Sequence, residues 1–285
     1  MRSRIALVAH ASVCLGFQRT LLASRRAPGG LVLRSTMASW SEAVAVKESA
    51  EGVAVVANLE SVRGRVAAAS AGRTAPPTLI AVSKLKPLSV IAAANEAGHR
   101  DFGENYVQEL VEKAEAVGDE DCDVRWHFIG KLQSNKVRLL CGVKRLEAVH
   151  TVSSVKLVNK LDAVWPELQP DRGPLKVFVQ VNTSGEEAKG GCAPEDAADL
   201  AKLAAEAPNL HLLGLMCIGK YSGAEGDASP DFVTLRDCRA AAAAAIGVDP
   251  ASLALSMGMS HDFETALAHD ATHVRVGSTI FGARA

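Results

Sequence analysis

Between Thr78 and Gly277 the chain alternates short β-type runs with helical stretches, and this alternation limits its fold more than any other feature. The runs fall at 78–84, 99–104, 124–129, 145–150, 175–182, 211–217, 252–257 and 273–277. Helical stretches lie near 88–97, 105–117, 132–140, 153–165, 195–206, 229–245 and 260–268. Strands joined through helices run parallel, because each helix carries the chain back across the sheet. Eight strands with seven helices between them predict an α/β fold, a (β/α)8 TIM barrel, with a leading helix from Trp40 to about Ala69 packed outside. A doubly wound open sheet is the competing architecture, and no GxGxxG follows the first strand to support it.

The charge divides at residue 37. Residues 1–37 hold six arginines and no Asp or Glu. Removing those six from 31 basic side chains leaves 25 against 32 acidic ones in residues 38–285, a net charge of −7. Such a body repels a phosphate backbone, so nucleic acid is not an expected partner, and the basic stretch 131–145 has no interleaved aromatic platform. The Arg-, Ser- and Ala-rich residues 1–37 read as a transit segment, directing the chain to the mitochondrion or plastid, ahead of a body at 38–285. A cytosolic extension, and with it a cytoplasmic location, is the other reading. No apolar run is long enough to cross a bilayer, and six scattered cysteines without CxxC pairing suggest a reducing compartment.

In a (β/α)8 barrel, functional side chains gather at the carboxyl ends of the strands. Those ends here carry Lys84, Asn105, His127, His150, Asn182, Ser256 and Arg275, a set a core would not select. Lys84 closes the first strand either as a surface lysine or as a partly desolvated amine able to form a Schiff base with an aldehyde. The strand's phase is not decided by its residues, and Pro87 puts the competing Lys86 in the turn. In LSMGMS, Gly258 allows a tight turn and Ser260 stands at an N-cap position with Glu264 after it, as a capped helix or an anion site. Gly277, Ser278 and Thr279 supply amides and hydroxyls where phosphate sites form after the last two strands. Arg275 shares the side of Gly277 and needs an acceptor there: a ring nitrogen, a phosphate or a carboxylate. Asn105 stands where it would orient a lysine or bond a ring hydroxyl. His127 alone reads as a structural histidine, and Asn182 and Met216 as further wall. Neither a metal cluster nor a GxSxG elbow is present in the sequence.

The motifs AVSKLKP, GHRDFGENYVQEL, WHFIGKLQSNKVR, VQVNTSGEEAKGG, LLGLMCIG, LSMGMSHDFETAL and VRVGSTIFGAR resemble, in order, those of the pyridoxal phosphate homeostasis protein family, also called the YggS or proline synthase co-transcribed family. The resemblance spans roughly residues 45–284. It implies a barrel like the amino-terminal domain of alanine racemase, a pyridoxal 5'-phosphate cofactor, and a role in vitamin B6 homeostasis without established catalysis. It assigns the internal aldimine to Lys84, phosphate contacts to Ser260, Gly277 and Ser278 with Thr279 adjoining, the ring nitrogen to Arg275, and a place near the cofactor to Asn105. His261 and Leu85 depart from the family pattern, and His261 would add a pH-sensitive group beside the phosphate.

An arginine beside the ring nitrogen disfavours its protonation and weakens the ring as an electron sink. Alanine racemases share that arginine and add a β-rich domain with a catalytic tyrosine, for which no residues follow the last strand here. The resemblance therefore implies a monomeric carrier that gives the cofactor to apo forms of B6-dependent enzymes, with a racemase-like enzyme acting on small amino acids as the alternative.

Overall fold

The computed structural model describes residues 39–45, 48–118, 122–220 and 230–282, so the expectations for residues 1–37 and Cys14 lie outside the described residues. The chain enters through α1 (Trp40–Ala45) and α2 (Ala50–Ala69), where the periodicity predicts one helix. Ser49 accounts for the second start: its hydroxyl accepts from the Gly52 amide at 3.2 Å and caps α2.

Eight strands follow: β1 (Thr78–Val82), β2 (Asp101–Glu104), β3 (Arg125–Phe128), β4 (Leu146–Val152), β5 (Leu175–Gln180), β6 (Leu210–Met216), β7 (Ala254–Ser256) and β8 (His273–Val276). They close in chain order into a parallel barrel, with β8 pairing back on β1. Between them lie α3 (Leu88–Glu96), α4 (Val107–Val117), α5 (Val137–Cys141), α6 (Val155–Leu168), α7 (Ala197–Glu206), α8 (Pro230–Ile246) and α9 (Phe263–Ala268), and α10 (Ser278–Phe281) ends the barrel. Every predicted strand is present. No described helix is long and apolar enough to cross a membrane, and the five cysteines among the described residues are free thiols.

Alternation along the strands sorts side chains into two layers. Leu79, Ala81, Phe102, Trp126, Phe128, Val177, Val179, Leu255 and Val274 join helix residues such as Leu110 and Leu161 in one hydrophobic cluster. Burial of each Val, Leu or Phe side chain among them contributes about 1.5–3 kcal/mol. The opposite phase turns to the barrel axis. There His150 stacks on Phe178 at 4.3 Å, and His127 and His273 meet these rings edge-on.

This polar interior makes stability depend on pH. Burial, then the nearby His127, His273 and Arg275, hold His150 well below its ordinary pKa. Burial lowers His273 to about 3 and His99 to about 4. In the unfolded chain these groups titrate near 6.5. Below that pH the unfolded state binds more protons than the folded one, so stability is full above about 6.5 and is lost as pH falls toward the folded values. For the three groups together the loss from pH 7 to pH 6 is about 2 kcal/mol. Urea midpoints at the two pH values measure it, and equal midpoints would contradict neutral interior histidines.

Candidate functional site

The carboxyl end of β1 turns sharply at Ser83–Lys86, where the Lys86 amide donates to the Ser83 carbonyl at 3.0 Å. Leu85 takes φ 59°, a left-handed conformation that a side chain of this kind enters at a cost of about 1–2 kcal/mol. Buried charges hold the turn. Lys113 of α4 is fully buried and donates through Nζ to the Ser83 carbonyl at 2.8 Å, to Glu104 Oε1 at 2.6 Å and to Glu109 Oε1 at 2.7 Å. Ser83 Oγ donates to the same Glu104 oxygen at 2.7 Å, and the Leu85 amide donates to Glu109 Oε1 at 2.6 Å. Burial pushes the Glu104 carboxyl up, against the opposing pull of Lys113. Lys84 is thus carried on a strained turn whose flanking residues are fixed from below.

The strand phase left open by the sequence is settled by neighbouring atoms. Ala81 belongs to the outer cluster, whereas a Cβ on Gly103 would meet Ile80 Cγ2 at 2.9 Å and Val82 Cγ2 at 3.5 Å. Ile80 and Val82 therefore share the inner phase, and Val82 and Lys84 line one cavity of about 310 Å³ at the strand ends.

Asn105, Ser260, Arg275, Gly277 and Ser278 line that cavity with them. The Asn105 Oδ1 atom is buried with no hydrogen-bond partner, a state that costs about 1–3 kcal/mol unless a ligand supplies a donor. The backbone of Asn105 reaches this place because residue 130 is glycine: a Cβ there would lie 1.8 Å from the Asn105 carbonyl oxygen. Gly130→Ala is expected to displace Asn105 and to destabilise the fold by about 2 kcal/mol. Urea unfolding measures this, and an unchanged midpoint would show that the loop yields without cost.

On the opposite wall, Gly258 at φ 89° turns the chain after β7, and a Cβ there would press to 2.5 Å from Ala266 Cβ. The expectation that Ser260 caps α9 is corrected: Asp262 is the residue before the helix, and its Oδ1 accepts from the Met259 amide at 2.6 Å. Ser260 Oγ instead accepts from the Gly277 amide at 3.1 Å, linking the two loops that follow β7 and β8. The opening amides of α10 have no partner within the helix. Thr279 sits behind the lining, its hydroxyl donating to the Ser260 carbonyl at 3.5 Å.

Arg275 is buried and donates through Nη1 to Ser256 Oγ and through Nη2 to the Cys217 carbonyl, both at 2.8 Å. Among the described residues no carboxylate forms an ion pair with it, which removes the carboxylate acceptor from the readings of its role. Burial lowers its pKa.

Six of the seven predicted site residues thus meet in one cavity. Asn182 and Met216 do not: Asn182 Nδ2 donates to the Glu186 carbonyl at 3.2 Å, and Met216 is fully buried. Lys113 and Glu109 escaped the sequence reading. The available signal was Lys113 itself, a lysine on the apolar stripe formed by Val107, Leu110, Ala114 and Val117. A larger cavity of about 800 Å³ beside Val111, Leu139 and Leu168 holds none of the strand-end groups.

The family model for the alanine racemase N-terminal domain matches residues 37–285. The pyridoxal phosphate homeostasis protein of Bos taurus is 44% identical over 214 residues, covering 73% of this chain and 77% of that protein. The protein of the same name from Schizosaccharomyces pombe is 41% identical, covering 79% of this chain and 91% of its own length. The chain belongs to the pyridoxal phosphate homeostasis protein family. Among solved structures, Synechococcus elongatus PipY with PLP bound has a TM-score of 0.64 at 32% identity, covering 80% of this chain and all of that one. Membership in the pyridoxal phosphate homeostasis family agrees with the closed eight-stranded barrel. The cavity at the barrel mouth gathers a lysine, an arginine and a serine- and glycine-lined corner.

Proposed function

We propose that this chain binds pyridoxal 5'-phosphate at the mouth of the barrel and serves the homeostasis of that cofactor, holding it covalently but reversibly through Lys84. The observation that carries the reading is the donor set of one cavity. It joins a lysine amine, a buried arginine without a carboxylate partner, an orphaned Asn105 oxygen, and the Ser260 and Ser278 hydroxyls beside Gly277, whose amide holds Ser260 Oγ. An aldehyde, an acceptor ring nitrogen, a ring hydroxyl and a phosphate satisfy these groups in turn. Family membership and the PLP bound in the PipY structure support the same ligand.

When bound, the cofactor supplies an electrophilic aldehyde and a ring that can accept electrons. The chain's own groups set how far that chemistry goes. Ser260 Oγ and the Ser278 amide hold the phosphate corner, with the Gly277 amide orienting Ser260 Oγ by donating to it and Thr279 fixing the Ser260 backbone. Asn105 Oδ1 accepts from the ring hydroxyl. Arg275 has donors only, so it pairs with an unprotonated ring nitrogen and keeps the ring a weak electron sink. This favours retention and release over turnover. In this reading the chain acts as a monomer without nucleic acid, its recipients are apo forms of B6-dependent enzymes, and residues 1–37 direct it to the mitochondrion or plastid.

Proton NMR of L-alanine in deuterated water with the loaded chain tests the balance. Transfer of cofactor to an added apo-enzyme without loss of the alanine α-proton signal is expected. Sustained α-proton exchange would support the racemase-like alternative instead.

A further inference from the structure

Beneath the cavity, a single chain of hydrogen bonds runs along the barrel interior from Arg275 toward the amino-terminal end of β2. Arg275 Nη1 meets Ser256 Oγ at 2.8 Å, Ser256 Oγ meets His150 Nδ1 at 3.0 Å, and His150 Nε2 meets His127 Nδ1 at 3.1 Å. His127 Nε2 then meets Asp101 Oδ1 at 2.9 Å, and Asp101 Oδ2 accepts from Arg125 at 2.6 Å. His127, His150, Ser256 and Arg275 are all buried.

Both ends of this chain are chemically one-directional. An ionised carboxylate only accepts and a guanidinium only donates. His127 must therefore carry its proton on Nε2 to meet Asp101, which in a neutral ring leaves Nδ1 as an acceptor. His150 must then donate from Nε2 and accept at Nδ1, and the single Ser256 hydrogen goes to His150 while its oxygen receives Arg275. Every proton has one place. Burial and the Arg275 guanidinium keep His150 uncharged, and the bonds from His127 and Arg125 hold Asp101 ionised despite its burial.

We infer that Asp101, His127, His150 and Ser256 form an oriented chain of positioning residues that fixes the Arg275 guanidinium against the ring nitrogen of the bound cofactor. The inference rests on the proposed cofactor reading. It adds that the carboxylate at the far end of the chain orders the protons so that the Ser256 oxygen is left to accept from Arg275. None of the four residues lines the cavity, so each acts through Arg275.

Two measurements on the full chain test it. Nitrogen-15 NMR of the histidines in the cofactor-free protein is expected to show the Nε2–H form for both His127 and His150. An Nδ1–H form at either would overturn the direction. Binding of pyridoxal 5'-phosphate is then compared with that of its analogue bearing C–H in place of the ring nitrogen. Ser256→Ala is expected to weaken the first about tenfold and to leave the second within about twofold, because only the first has a nitrogen for Arg275 to meet. Equal weakening of both would reveal a merely structural role, overturning the inference while the cofactor reading stands. If the wild-type chain binds neither aldehyde, the cofactor reading fails and this inference fails with it.

Discussion

Lys84→Ala is expected to abolish the visible absorbance that develops when pyridoxal 5'-phosphate is added, and to weaken binding on the order of 100-fold, about 2.7 kcal/mol. The amine is the only side chain of the proposed set able to bond covalently to an aldehyde, and Arg275, Ser260 and Gly277 remain in the variant. Weak residual binding without the band is therefore the expected pattern. The fold should survive, because Lys84 follows β1 and the buried network engages Ser83 and Leu85 through their backbone atoms and the Ser83 hydroxyl. An unchanged band in the variant would show that another amine carries the cofactor.

The second large effect concerns the support of that turn. Lys113→Met leaves the fully buried Glu104 without its cation, and breaking one side of a buried ion pair costs about 3–5 kcal/mol. Its Oε2 atom already lacks a hydrogen-bond partner. Urea unfolding is expected to show the loss. The double variant Lys113→Met, Glu104→Leu is expected to recover part of it, since the fully buried carboxylate is then gone while Glu109 keeps its charge without Lys113. Recovery would not extend to cofactor affinity, because the Ser83 carbonyl and the Ser83 hydroxyl have lost the partners that fix the turn carrying Lys84. A single variant as stable as the wild type would show that the network does not hold the turn.

The barrel was legible because its signal is periodic and repeated. A run such as LKVFVQ followed by a helical stretch specifies a buried parallel strand locally, and eight repetitions leave little choice of topology. The leading helix was misread because Ser49 interrupts it through a cap, a single hydrogen bond that hydrophobic periodicity does not register. Residues at strand ends were legible for the same positional reason, which brought Lys84, Asn105 and Arg275 together. Of the two readings of Ser260, the helix cap fails because its hydroxyl bonds Gly277, seventeen residues away, at the cavity wall. Distance along the chain also hid the interior. His127, His150, Ser256 and Asp101 come from four strands, and their shared chain of bonds exists only once the barrel closes. His127 read by itself as structural, and the fold gives it partners on both sides.

The most direct test of cofactor attachment at the barrel mouth is borohydride reduction of the chain after incubation with pyridoxal 5'-phosphate, followed by peptide mapping. One reduced adduct is expected, on Lys84, at one equivalent per chain. Adducts spread over exposed lysines, or concentrated on a lysine away from the strand ends, would contradict a site built around Lys84.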